Sequence, residues 1–373
     1  MSLRENLSPR KSKIWFFSFF LLVIPVYLGQ FDLSGISAAT YAIYATSLLA
    51  YGLLAGKIYF LDGHSGKELL YITFILVLLG LGVVFSGVRS LFSTGLLAVA
   101  CKDVSFRRIS KISFFLFAGA ILLNVLLVLL GVLGDTVIIR GELIGNGNVR
   151  HTLGFGYPNT LALWGMVTVF AAVLTAAAKP KLLNVALLFS LGIFLLTDSK
   201  AAFLSCLTAI ALCLVFRFAG PRLDGKKWVP WFLGGLVALT AFGFVVLALT
   251  YKEGSQFFEF LNTLFSQRLG YANQGFRLFG ASLFGMRNVD FGWDPVDSLY
   301  AYGPICLGVF PCLIYFCLAV YAAYRSAKAG RWEIAAVALA GMLYSTMEYS
   351  LINPIFLPMF AVCAGLDNRS QNI

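Results

Sequence analysis

The chain is built from long apolar runs separated by short polar interruptions, and the runs are continuous rather than alternating with a period of two or of 3.6. A helix that is apolar all round is either buried in protein or surrounded by lipid. Runs of about 20 residues, enough to cross a bilayer as a helix, begin at Ile14, Ile36, Leu69, Ile112, Asn159, Leu182, Ala201, Val229, Gly303 and Glu333. A shorter run covers Ser90 to Cys101 and a last one covers Pro354 to Leu366; both are under-length and read as tilted or partly re-entrant. The pattern predicts an all-α polytopic integral membrane protein with ten to twelve transmembrane helices, a single transmembrane domain over 1–373. The first run has charges before it and no small-residue cleavage site after it, so it reads as a retained helix rather than a signal peptide.

Composition agrees, since 60% of the residues are hydrophobic and only 12% charged, far from the soluble balance. A net charge of +11 could suggest nucleic acid, but the basic residues lie in short clusters between apolar runs, so no nucleic-acid partner is expected. Their distribution speaks to topology instead. With twelve spans and a cytoplasmic N-terminus, only Arg89, Arg140, Arg150, Lys200, Lys252, Arg268, Arg277 and Arg287 face outward, and the other 20 of the 28 Lys and Arg residues face the cytoplasm. Both termini are then cytoplasmic, in the inner or plasma membrane. Two long outer segments remain, 134–158 and 251–302, and these are expected to cap an active site. Neither they nor the short inner loops can form a nucleotide-binding domain. The glycines of "GELIGNGNVR" lack the Lys-Ser/Thr ending of a phosphate loop. The seven cysteines all fall in or beside apolar runs and form no disulfide framework. With two histidines and no paired-ligand motif, neither a metal nor another cofactor is expected.

Three polar clusters on the expected outer face carry chemistry. "RHTLGFGYPN" places Arg150 and His151 before a turn that leads into a helix near Pro158 and Asn159. "LLTDSKAAFL" sets Asp198, Ser199 and Lys200 between two apolar runs; Asp198 or Ser199 can cap the following helix, and Lys200 can meet an anionic headgroup. "SQRLGYANQGFRLFGASL" reads as an interfacial helix in the long outer loop, presenting Arg268 and Arg277 on roughly one side. Asp290, Asp294 and Asp297 follow, without the spacing of a calcium loop. Guanidinium groups grip phosphate and diphosphate through paired hydrogen bonds, and a carboxylate or imidazole nearby can take a proton from a sugar hydroxyl. Glu348, before "NPIF", is an acid within the apolar region and reads as a relay or second base.

The order of "RHTLGFGYPN", "TDSKAAFLS", "QRLGYANQGFRLFGASLFG" and "DSLYAYGPICLGVF" resembles the O-antigen ligase and Wzy-type polysaccharide polymerase superfamily of bacteria, over roughly Ile112 to Phe310. Arg150, Gly154, Phe155, Pro158 and Asn159 match its first motif. Ser199 matches the second, where Lys200 stands for an arginine. Arg268 with Leu283, Phe284 and Gly285 matches the third. Asp297, Tyr300 and Gly308 match the last, where Ser298 replaces an asparagine. The resemblance implies a metal-independent, inverting glycosyltransferase. It would join undecaprenyl-diphosphate-linked oligosaccharide repeat units on the outer face of the membrane, in the capsule, exopolysaccharide or O-antigen type of biosynthesis. Asp297 then stands where the family carries its base, with His151 as rival. Arg150, Arg268, Arg277, Lys200, Asn159 and Tyr300 would bind substrate. A flippase and a chain-length regulator are partners by analogy. Two alternatives stay open: a ligase that transfers finished glycan to another acceptor, and a secondary transporter or flippase for an anionic solute.

Overall fold

A computed structural model describes residues 3–31, 37–140, 148–176, 179–292 and 296–366. Its helices are α1 (Leu3–Leu28), α2 (Ser37–Gly56), α3 (Gly66–Ser86), α4 (Ser90–Val99), α5 (Phe106–Leu129), α6 (Pro158–Ala176), α7 (Pro180–Thr197) and α8 (Lys200–Leu223). They continue with α9 (Trp228–Thr250), α10 (Gln256–Leu264), α11 (Arg268–Phe279), α12 (Leu299–Tyr302), α13 (Val309–Lys328) and α14 (Trp332–Tyr344). Among the described residues, 8 helices are long and apolar enough to cross a membrane: α1, α2, α3, α5, α6, α8, α9 and α13. The runs at Leu182 and Glu333 form α7 and α14, which are apolar but shorter, as is α4. Phe60, Leu70, Leu122, Leu195 and Phe242 all point outward with most of their surface uncovered. Apolar groups so placed on helices of this length belong against hydrocarbon, and the chain is an all-α polytopic membrane protein.

Local chemistry sets the boundaries. Ser65 and Glu68 form a reciprocal capping box at the start of α3, and Gly87 ends that helix in the left-handed region. Pro180 opens α7, where a missing N–H costs nothing. α6 is the central helix, buried at nearly every position from Leu161 to Leu174 and flanked by α5, α7, α8 and α14. The two ends of the bundle differ. At one pole Lys11 pairs with Asp103 at 2.6 Å, and Arg325 donates to the carbonyls of Ala361, Val362 and Ala364. Lys57, fully buried there, is bound by both oxygens of Asp62 and by the carbonyls of Ala100 and Lys102. The opposite pole carries the starts of α6 and α8 and the end of α14.

Several expectations change. The run from Pro354 to Leu366 is not an α-helix: a 3-10 turn over Leu357–Val362 is its main regular element. From Ser345 onward the chain nevertheless passes from one pole to the other, since Glu348 lies near Asn159 and the Gly365 amide donates to Val104. Irregular backbone at this depth is tolerated only inside protein, and the segment is buried from Leu351 to Ala361 apart from Asn353. Side chains supply what a helix would have supplied: Tyr315 donates to Leu351 O, Thr94 to Ile352 O and Ser90 to the Asn353 side chain. The run at Gly303 starts as a π-turn over Gly303–Leu307, and α13 proper begins only at Val309. Segment 134–158, expected as loop, contains an antiparallel ribbon of β1 (Val137–Arg140) and β2 (Asn148–His151), with Ile138 opposite Arg150. Segment 251–302 carries α10 and the short α12 as well as α11, so the expected single helix is one of three.

Candidate active site

A polar hollow of about 210 Å³ opens at the pole where α6 and α8 begin and α14 ends. Three cations reach it from distant parts of the chain: Arg150 from β2, Lys200 from the first turn of α8, and Arg268 from the first turn of α11. The two arginines are positioned by backbone carbonyls. Arg150 Nε donates to Thr197 O at 2.6 Å, the last carbonyl of α7, and its Nη2 donates to Asn159 Oδ1 at 2.6 Å. Arg268 Nε donates to Met347 O at 2.5 Å, in the chain that leaves α14. Lys200 follows Ser199, which occupies the N-cap position of α8 but makes no side-chain cap bond. Asp198 sits instead at the C-cap of α7, in the left-handed region, and accepts from Asn148 Nδ2 at 3.1 Å.

Glu348 joins these groups. Its Oε1 accepts from Asn159 Nδ2 at 3.1 Å and from Arg268 Nη2 at 3.4 Å. Asn159 thereby links Arg150 to Glu348, and Arg268 links Glu348 to Asp297, whose Oδ2 lies 3.4 Å from the same Nη2. Burial in the loop after α14, and next the nearby Asp297 charge, push the Glu348 carboxyl up to about 7 against the opposing pull of Arg268 and Arg150. Burial raises the Asp297 carboxyl too, with Arg268 pulling the other way. A carboxyl poised near neutrality beside clustered cations suits proton transfer.

The sequence-predicted residues are thus distributed unevenly. Arg150, Lys200, Arg268 and Asn159 line the hollow, and Asp297 touches it through Arg268. Adjacent residues of a strand face opposite ways, so His151 points away from Arg150 and holds Asp135 through Nδ1 at 2.6 Å. Asp135 also accepts from the amides of Thr152 and Leu153. Burial opposes its charge, but the His151 and amide hydrogen bonds win and hold the carboxyl below its usual range. The pair organises the turn into "GFGYPN" and does not face the hollow. Arg277 is exposed and not part of it, because nine residues along a helix is about two and a half turns, which carries a side chain to the opposite side. Tyr300 is fully buried and donates to Met342 O at 2.6 Å. Among the described residues no cluster could hold a metal ion; Asp294 lies outside them.

The glycines of the later motifs have a packing role. Ser282 to Phe284 run beside Pro304 to Phe310, with Val309 N donating to Ser282 O and Phe310 N to Leu283 O. Gly308, with φ of 102°, lies so close that a Cβ would stand 2.4 Å from the Phe284 carbonyl carbon. A larger groove of about 280 Å³ between α5, α6 and α7 is almost wholly apolar, and its Thr168 and Thr175 donate to their own helix; it offers acyl contact and no chemistry. Comparison with protein-family models, with curated proteins and with solved structures finds no match to this chain.

Proposed function

We propose that the protein is a membrane glycosyltransferase that joins undecaprenyl-diphosphate-linked oligosaccharide repeat units, acting at the outer face of a bacterial cytoplasmic membrane. The observation that carries this reading is the convergence of Arg150, Lys200 and Arg268 with the near-neutral carboxyl of Glu348 on one polar hollow at the end of an apolar bundle. Three cations suit the charge of a diphosphate, which then leaves without a metal to neutralise it. The acceptor sugar hydroxyl attacks the anomeric carbon, the bond from that carbon to the diphosphate oxygen breaks, and the lipid diphosphate departs. The hydroxyl proton passes to a carboxylate. Glu348 faces the hollow and Asp297 lies one guanidinium away, so the acceptor is this coupled pair, with Glu348 nearer the substrate. Inversion follows from a single displacement with no covalent intermediate on the protein.

The test is incubation of the purified protein in detergent or vesicles with lipid-linked repeat units, read as a ladder of longer lipid-linked products. A single-step product on another acceptor would instead make it a ligase. One observation favours a second class: the irregular buried passage after Glu348 resembles the broken helices around transporter ion sites. Solute counterflow without any glycan product would establish that reading and remove the first.

A further inference from the structure

A second cleft, separate from the polar hollow, opens between α2, α3 and α4. α2 and α3 meet near their connection, where the Tyr59 and Thr73 hydroxyls lie 2.7 Å apart. Farther along, residues of α2 and α3 line the cleft together with Phe92 of α4, which packs edge-on against Tyr51. The cleft has a volume of about 420 Å³, within the range of small-molecule sites. Its walls are apolar, and Leu48 and Val84 on its rim are well exposed, so it opens toward hydrocarbon.

One charge interrupts this surface. Arg89, at the turn before α4, lines the cleft with its guanidinium carbon 3.9 Å above the Tyr44 ring. The contact fixes the group in place. Among the described residues no carboxylate pairs with Arg89. A half-buried guanidinium beside apolar walls and without a carboxylate partner is complemented by an anion, and a phosphate accepts two of its N–H groups at once.

We infer that this cleft is a binding site for a singly charged anionic glycerophospholipid, with its phosphodiester on Arg89 and one acyl chain lying between α2 and α3. Charge complementarity selects that occupant. Arg89 is the one cation among the residues lining the cleft, while Arg287 donates from outside to Val84 O on its rim at 2.6 Å; one lining cation matches a phosphodiester, whereas a diphosphate calls for the several cations of the hollow. A partner transmembrane helix would need a carboxylate at this depth. The site does not depend on glycosyl transfer, and its test reads binding alone.

The experiment is native mass spectrometry of the delipidated full chain, titrated with phosphatidylglycerol and with phosphatidylcholine. The unaltered protein should retain one phosphatidylglycerol in preference to phosphatidylcholine. Arg89→Gln should weaken that binding about tenfold, and Arg89→Lys less, since charge survives without the fork. Gly80 faces the cleft with only Phe92 near, at 4.0 Å, so Gly80→Leu should fill the floor and weaken binding with the charge intact. Lys252→Gln, outside the cleft, should change nothing. Melting curves matching the parent identify variants that still fold. Undiminished phosphatidylglycerol binding by folded Arg89→Gln would overturn the inference, as would equal retention of the two lipids. Glycerol phosphate competing as well as the lipid would reduce the cleft to an ion site. Undecaprenyl phosphate displacing phosphatidylglycerol at equal concentration would assign the cleft to the carrier lipid instead.

Discussion

At the scale of the residue, the decisive group is Glu348, because it is the acid that faces the three cations. Its carboxyl is raised in the fold to about 7, so the fold favours the neutral form. The stability associated with that preference is fully present below the ordinary glutamate value and is lost as pH rises through about 7. Glu348→Gln should therefore gain stability relative to the parent as pH rises from 5 to 8. The difference should approach about 3 kcal/mol at most, less what the lost pairing with Arg268 costs. Denaturant melts at the two pH values check this, and a shift that is the same at both would refute the assignment. In the polymer assay the same variant should fall by about a hundredfold or more and lose the rise of rate through neutral pH. His151→Ala should cost far less, because that ring faces Asp135. Arg150→Ala and Arg268→Ala should abolish product while the protein still inserts. Arg268→Lys should remain poor, since a single ammonium cannot serve Met347 O, Asp297 and Glu348 together.

Elements were unevenly legible. The long spans announce themselves because a continuous apolar run of bilayer length admits few other structures, and Pro180, Gly87 and the Ser65–Glu68 pair mark boundaries in plain chemistry. The passage after Tyr344 was not legible. Its apolar composition matches that of a helix, and what makes it irregular is the supply of donors from Tyr315, Thr94 and Arg325, which are remote in sequence. The same remoteness hid the partnership of Glu348 with Asn159. The misplacement of Arg277 has a simpler origin in helical phase. Glycine positions were visible as motif residues, but the reason for Gly308 appears only with Phe284 against it. Gly308→Ala forces a Cβ into that backbone at positive φ, and should lower stability by about 2 kcal/mol or more. Gly243→Ala, in open space on α9, should not; melting of both in detergent is the measurement.

For the whole molecule, the poles matter most. Lys11, Lys57, Lys102 and Arg325 gather at one end, and Arg150, Lys200 and Arg268 at the other. The distribution of basic residues along the sequence assigns the first group to the cytoplasmic side and the second to the outer side, and accessibility from outside the cell tests that assignment. Single cysteines at Asn148 and Ser255, in a background lacking the seven native ones, should react with an impermeant thiol reagent on intact cells, and one at Gly225 should not. Reaction at Gly225 alone would invert the molecule and place the hollow inside.

The irregular passage from Ser345 to Gly365 also bears on how the protein is made. A segment whose carbonyls are satisfied by side chains of α4 and α13 has no stable existence in lipid by itself, so the insertion machinery cannot release it sideways as it releases a helix. It must wait until its receptacle has assembled, entering last, as a cork enters a finished bottle. Chains ending after Tyr344 should accordingly insert normally yet remain open to protease at the unfilled centre. Assembly of the polar hollow would then be gated by this passage, because Glu348 reaches the hollow only when the passage is seated.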